Sequence, residues 1–427
     1  MRIAVLTSSY PRFNGDGAAP FVKSIVENMS RLGHEIEVVA PFDPAVDITQ
    51  REPASNLNPT VHRFRYIWPD RLHIMGHARA MEADVRLRPL ALLLIPLYLL
   101  GAFLKLYQLT GSQKTEIIHV HWVIPNGPIA ACVAALRHIP FVVSLHGSDI
   151  FFSLQNRLFG GVARRVFKQA SAVTACSPEL RDGAVALGAT NVFLQPWGAD
   201  PQIFNPQRRS DLYRQAFGLE SVTMNKDRSV TDDRIIISAL GRLVHKKGFD
   251  RLVAAWAKVA DQYPQAHLVI GGDGPLRSAL DNQIHEQNLE GRVSLVGQIR
   301  WDEVPEFLAS SDVFVLPSVQ DSKGNMDGLP TVLLEAMSSG LAVVASRLGG
   351  IPLVIEDGET GILVTPDDVP ALEAALDTVL RSSNRQELGR AARRSIEQTY
   401  NWPNVVRSIL LLMSQVTKQS NINNKQL

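Results

Sequence analysis

Val313 to Leu316 (VFVL) is a short apolar run, and it leads into DSKGNMDGLPTVLLEAMSSG, Asp321 to Gly340, where the chain turns from polar to apolar at a single point. A run this short, bounded by turn residues, reads as a strand of a buried parallel sheet. The polar, glycine-bearing loop after it ends at Asp327-Gly328. Pro330 suits a first helical turn, Val332 to Met337 read as a buried helix, and Gly340 closes it. Strand, loop and helix in this order place the loop at the carboxyl edge of an open α/β sheet, which is where such sheets bind ligands. In the turn Leu329-Pro330-Thr331, the N–H groups that no helical carbonyl can claim, aided by the helix dipole, suit an anion such as a diphosphate. Asp327 stands before the helix and Glu335 two turns into it. A glutamate on an otherwise apolar segment is costly to bury unless something hydrogen-bonds it, and a ribose would; a neighbouring cap or ion pair would serve equally.

The rest of the chain repeats this pattern. At 427 residues it exceeds one ordinary domain, so two or three are expected. With 45% hydrophobic and 20% charged residues it has the composition of a globular protein, and a net charge of +1 gives no reason to expect nucleic acid. The two cysteines, Cys132 and Cys176, exclude a disulfide scaffold and a cysteine zinc cluster, and fit a reducing compartment. Ile3 to Thr7 follows Met1-Arg2 directly and reads as a first strand, not a signal peptide. The expected location is cytoplasmic.

After that strand comes the loop SSYPRFNGDGAAP, then a helix from Phe21 to Leu32 closed by Gly33, then a second strand, Ile36 to Ala40. A dinucleotide fingerprint is not met, because its sixth position counted from Gly15 is Pro20. Gly17 is a place where a ligand could approach the backbone closely, or simply a turn glycine. Strands are expected at Ile117 to Val120, Phe141 to Leu145 and Ser171 to Ala175, with a helical stretch at Arg164 to Gln169. The second of these strands ends in His146-Gly147-Ser148-Asp149. A histidine at that edge beside a glycine and a carboxylate is a candidate catalytic or ligand group.

Residues 62 to 88 carry Arg63, Arg65, Arg71, Arg79, Arg86 and Arg88 against Asp70, Glu82 and Asp84, and residues 89 to 106 are PLALLLIPLYLLGAFLKL. The apolar stretch is close to the roughly 18 residues of a spanning helix, but Pro89, Pro96, Gly101 and Lys105 interrupt it. A spanning helix would also split one sheet across the bilayer. The stretch is expected to be a partly exposed helix of the first domain, docked on an anionic membrane surface with the arginines toward lipid; a buried core helix is the competing reading.

The domain boundary is expected near Gln195, giving domains at 1–195 and 196–401, with the polar, unpatterned run 221–233 in the second. There, Ile235 to Leu240 reads as a strand, GRLVHKKG (Gly241 to Gly248) as a basic loop and Phe249 to Val259 as a helix; His267 to Ile270 and Val293 to Val296 are further strands. Arg242 and Lys247 can reach one anionic centre from that loop. Trp402-Pro403 opens an amphipathic helix over 402–417, and Lys418 to Leu427 is expected to fray.

GRLVHKKGFDRLVAA, GGDGPL, FVLPS and DGLPTVLLEAMSSG resemble, at this spacing, the C-terminal half of the group 1 (family 4) retaining glycosyltransferases; the glycine loop, VHVHW and SLHGSD resemble the first half. The resemblance implies an α/β GT-B architecture, two Rossmann-like doubly wound parallel-sheet domains facing across a cleft, with the last helix crossing back to the first. It implies a metal-independent hexosyl transfer from a UDP- or GDP-linked sugar as substrate, with no cofactor, to a saccharide or glycolipid acceptor. Arg242 and Lys247 match the pair that neutralises the diphosphate. Glu335 matches the acid that binds the ribose, and Asp327 falls where a glutamate facing the transferred sugar belongs. His146 matches the histidine near the reacting sugar, and Gly17 the loop on which the diphosphate closes. The residues agree, since fixed cations and helix N–H groups stabilise a departing diphosphate where a metal otherwise would, and the paired carboxylates of glycoside hydrolysis are not evident. Two other outcomes fit the same pattern: a nucleotide-sugar epimerase or hydrolase, and an idle scaffold or sensor.

Overall fold

A computed structural model describes residues 1–427 except 14, 47–58, 78–80, 83–85, 88, 113, 217–233, 323, 382–384 and 427. Arg79, Asp84, Arg88 and the run 221–233 therefore lie outside the described residues. The chain divides into two compact units: unit 1 is Met1–Pro196 with Trp402–Leu427, and unit 2 is Trp197–Asn401.

Unit 1 is built on seven strands: β1 (Arg2–Leu6), β2 (Glu35–Pro41), β3 (Thr60–Phe64), β4 (Ile117–His121), β5 (Phe141–Leu145), β6 (Ala172–Ala175) and β7 (Val192–Leu194). They are all parallel, in the order β3-β2-β1-β4-β5-β6-β7. Unit 2 has six: β8 (Ile235–Leu240), β9 (Ala266–Gly271), β10 (Val293–Gly297), β11 (Val313–Leu316), β12 (Ala342–Ser346) and β13 (Ile362–Val364). Their order is β10-β9-β8-β11-β12-β13, again parallel. Each sheet starts in its middle, winds outward to one edge, then returns to continue on the other side. This is the doubly wound arrangement, and in unit 2 the direction reverses between β8 and β11.

Burial explains why the central strands read as apolar runs. Ile3, Ala4, Val5 and Leu6 are covered on both faces, as are Val313 to Leu316. In unit 2, Ile237, Leu268, Val315 and Val344 of the sheet pack with Trp256 and Leu376 of flanking helices. In the two parallel sheets, four strands are found among the described residues beyond those expected: β3, β7, β12 and β13. His62 and Arg63 interrupt the apolar pattern of β3, which lies at the sheet edge, while β7 and β13 are three residues long. The strand β12 begins one residue after Leu341 follows the helix-ending Gly340, so no polar loop announces it.

Two helices differ from expectation. The basic stretch does not simply face outward, because the Arg63 guanidinium donates to the carbonyls of Tyr10 and Pro11, and Arg65 reaches Asp70 at 2.5 Å while lying over the Phe42 ring. The following helix, Pro89–Ser112, runs past its expected end. It buries Ala91, Leu94, Tyr98, Ala102 and Leu106 while leaving Leu90, Leu93, Leu97, Leu100 and Leu104 41–75% exposed. The last helix also continues, from Trp402 to Gln426, since no glycine or proline follows Pro403 to stop it. Its buried Val405, Val406, Ile409 and Met413 belong to unit 1, where it packs on the helix Pro20–Arg31.

Candidate active site

In unit 2 the loops after β8 and β11 lie at the reversal of strand order. The first, Gly241–Gly248, is tied down by its neighbours: Gly241 N–H donates to Gly271 O and Leu243 N–H to Asp273 O, both at 3.0 Å. A turn of 3-10 helix, His245–Lys247, then presents two lysines. The second loop ends at Asp327-Gly328. Gly350 N–H donates to Gly328 O at 2.5 Å, and Gly349, at φ +62°, approaches so closely that a Cβ there would lie 2.5 Å from the Asp327 carbonyl.

These anchors bring Asp327 onto the basic loop. Lys247 Nζ lies 2.6 Å from Asp327 Oδ2 and Lys246 Nζ lies 3.1 Å from Oδ1. Burial by itself would raise the Asp327 carboxyl, but Lys247 and then Lys246 outweigh it and hold the group well below the usual carboxylate range. Asp327 is ionised at any working pH. Arg242 is on the same loop with its side chain exposed.

Pro330 is extended (φ −67°, ψ 121°) and precedes the helix, which spans Thr331–Ser338. The expectation that Pro330 occupies the first turn is thus corrected by one residue; a ψ of 121° lies outside the helical range. Thr331 and Val332 take the first turn, where their N–H groups have no carbonyl four residues back within the helix. Leu329 is buried before it. Glu335 lies one turn into the helix rather than two. Burial pushes its carboxyl up to about 7, against an opposing hydrogen bond from the Thr331 side chain. A carboxyl this reluctant to ionise gains most from a ligand that donates hydrogen bonds to it.

In unit 1, His146 follows β5 and Gly147 takes φ +126°. Asp149 fixes this loop, accepting from Gly147 N–H (3.1 Å) and His146 N–H (3.4 Å) on Oδ1 and from Val123 N–H (2.9 Å) on Oδ2. His121, from the end of β4, lies in register beside β5; its Nδ1 is 2.9 Å from His146 Nε2, the rings stacked 12° from parallel. Trp122 and Phe21 enclose His146 further. Burial, then the nearby His119, lowers His146 to about 3, and His121 is held well below its ordinary value by burial first and by both neighbours. These imidazoles are neutral at physiological pH. Gly17 is exposed, and a Cβ there would meet nothing within 4 Å. Its backbone is open to a ligand, and the fold does not require a glycine there.

Among the described residues no group of three or more His, Cys, Asp or Glu side chains is placed to hold a metal ion. The structure thus brings together Asp327 and Lys247 within unit 2, and sets Glu335 on the helix that follows them. Lys246 joins Asp327 in unit 2, and His121 joins His146 in unit 1, without having been singled out; a second lysine beside Lys247 and a second histidine ending the neighbouring strand were the available signals.

The two doubly wound parallel-sheet units define an α/β protein of GT-B fold. Comparison with known proteins gives the family. Residues 222–395 match the model described as glycosyl transferases group 1, and residues 16–196 match that of a glycosyl transferase 4-like domain. A GDP-mannose-dependent alpha-(1-6)-phosphatidylinositol monomannoside mannosyltransferase of Mycolicibacterium smegmatis is 30% identical over 307 residues, 70% of this chain and 76% of that protein. The N-acetyl-alpha-D-glucosaminyl L-malate synthase of Bacillus anthracis is 24% identical over 409 residues, 95% of each chain. The solved structure of Anabaena HepE in complex with UDP and glucose shares the fold, with a TM-score of 0.70 at 19% identity, covering 97% of this chain and 100% of that one. The chain belongs to the group 1 glycosyltransferases and is a glycosyltransferase.

Proposed function

We propose that this enzyme transfers a hexosyl group from a UDP- or GDP-linked sugar to a lipid-linked or cell-surface saccharide, with retention of anomeric configuration and without a metal or other cofactor. The observation that carries the reading is the pairing of Asp327 with lysines at the strand-order reversal of unit 2, ahead of the helix that bears Glu335. Breaking a glycosyl phosphate places negative charge on the departing diphosphate. Lys247, Arg242 and the N–H groups of Thr331 and Val332 stabilise it as it forms. Glu335 accepts from the ribose hydroxyls and Asp327 from the transferred sugar. His146, being neutral, acts as a hydrogen-bonding partner of the reacting sugar and not as a cationic acid, and the open backbone at Gly17 admits the ligand.

The choice of UDP or GDP is supported by the UDP held in HepE and by the GDP-mannose dependence of the mycobacterial relative, and the lipid-linked acceptor by that relative's action on a phosphatidylinositol monomannoside. The exposed leucines of the helix Pro89–Ser112 support a peripheral position on the inner face of the cytoplasmic membrane. The test is a thermal-shift panel of UDP-, GDP- and ADP-sugars with wild type and Glu335→Ala. Donor at ~100 times its dissociation constant adds roughly 2.7 kcal/mol to the native state. Stabilisation by one base and its loss in the variant is the expected result; no stabilisation by any donor would overturn the reading.

A further inference from the structure

Two ammonium groups share one carboxylate in unit 2, and only one of them has been given a task. Lys246, Lys247 and Asp327 have side chains 16%, 12% and 15% exposed, so the three charges meet largely out of water. Neighbouring residues rarely aim at one atom pair, and here the 3-10 turn His245–Lys247 makes it possible. That turn is held at its middle residue and just past its end. Val319 N–H donates to Lys246 O at 2.9 Å, and Gly248, at φ +65°, sits so close to Pro317 that a Cβ would lie 2.0 Å from its carbonyl oxygen. Both anchors are on the segment leading from β11 to Asp327, so the lysines and the carboxylate are set on one rigid frame.

A diphosphate drawn to Lys247 competes with Asp327 for that cation. Left with no partner in a nearly dry site, the carboxylate would be an uncompensated buried charge, which is far more costly than a shared one. We propose that Lys246 is a positioning residue for the transferred sugar: it keeps its contact with Asp327 Oδ1 while Lys247 turns to the diphosphate, so that Oδ2 is released, oriented and ionised, to accept a hydroxyl of the sugar. Resting the two contacts on different oxygens, 3.1 Å for Lys246 and 2.6 Å for Lys247, is what allows one to be exchanged without the other. This inference rests on the assignment of Asp327 to the transferred sugar.

The experiment compares wild type, Lys246→Met, Lys246→Arg, Lys247→Ala and Asp327→Asn as full chains. Binding of UDP and of GDP is measured by calorimetry, and release of the nucleoside diphosphate from UDP-glucose, UDP-galactose, UDP-N-acetylglucosamine and GDP-mannose by steady-state kinetics, with water as acceptor. Lys246→Met should keep nucleotide affinity and KM within about twofold of wild type while kcat falls about tenfold or more, the effect of a misplaced contact to the reacting sugar. Lys246→Arg should recover most of the turnover. If Asp327→Asn is impaired and Lys246→Met is not, Lys246 has no such role and the functional reading stands. Loss of nucleotide affinity in Lys246→Met to the degree seen in Lys247→Ala would make Lys246 a diphosphate ligand and overturn the proposal. Equal losses of turnover and melting temperature in the Met and Arg variants would make it a structural residue. Full turnover in Asp327→Asn, or wild-type inactivity across the panel, would remove the functional reading and this inference with it.

Discussion

Glu335 and Asp327 are two carboxyls on consecutive elements with opposite tendencies, and each makes a checkable statement. Glu335 is held at about 7 against an ordinary 4.5. Between those values the unfolded chain has released its proton while the folded chain keeps it, so native stability falls as pH rises from 4.5 to 7 and is level above. The Glu335→Gln variant lacks that slope. It should melt close to wild type at pH 5 and a few degrees higher at pH 8, on the order of 1–3 kcal/mol, while losing donor binding; scanning calorimetry at the two pH values checks the first and titration with nucleotide sugar the second. The role proposed for the Lys247 charge is in turnover. Replacing it by alanine should lower kcat by ~10² or more, the scale of deleting one preorganised group that stabilises developing charge; steady-state kinetics in the presence and absence of EDTA measures this and the metal requirement together. The roles offered for Glu335 and Lys247 were readable from residue type and position in a loop or helix. The partnership of Lys246 with Asp327 was not, since the strands β9, β10 and β11 lie between the two residues in the chain.

The helix Pro89–Ser112 shows how far an element can be read from its residues. Its composition distinguishes it from an ordinary surface helix, because leucines recur on every side, but which side is covered depends on what it packs against. Gly101 seats it against Phe64 and Tyr66, and Tyr98 meets both rings, leaving Leu93, Leu97 and Leu100 outward. Replacing those three by glutamate removes apolar side chains that are 41–75% exposed. The variant should fold with an unchanged melting temperature but stay in the supernatant when spun with anionic liposomes at low salt, where wild type sediments. The strand β3, just upstream, went unread for a related reason. A charged residue in a strand argues against burial unless it has partners, and those of Arg63 are carbonyls in the loop after β1, more than fifty residues earlier.

At the level of the whole molecule, the last helix belongs to a unit whose other residues end two hundred positions earlier. Its apolar residues make it dependent on a partner, and the partner is the helix Pro20–Arg31 of unit 1. Ending the chain at Asn401 would uncover the side of unit 1 on which Val405, Val406, Ile409 and Met413 pack. The truncated protein should lose several kcal/mol of stability, the order expected for the loss of several buried aliphatic groups, with a lower melting temperature and dye-binding apolar surface as the readouts. The alternation of strands and helices, the loops at strand ends, and the basic and acidic residues those loops carry were legible along the chain, because apolar periodicity and helix-end chemistry act over a few residues. Which loops meet was set by the pairing of the strands. The order β9-β8-β11 sets the basic loop against Asp327, and the register of β4 beside β5 stacks His121 on His146. Strand pairing is a long-range choice, made by the burial of whole faces and not by the residues that end up at the edge.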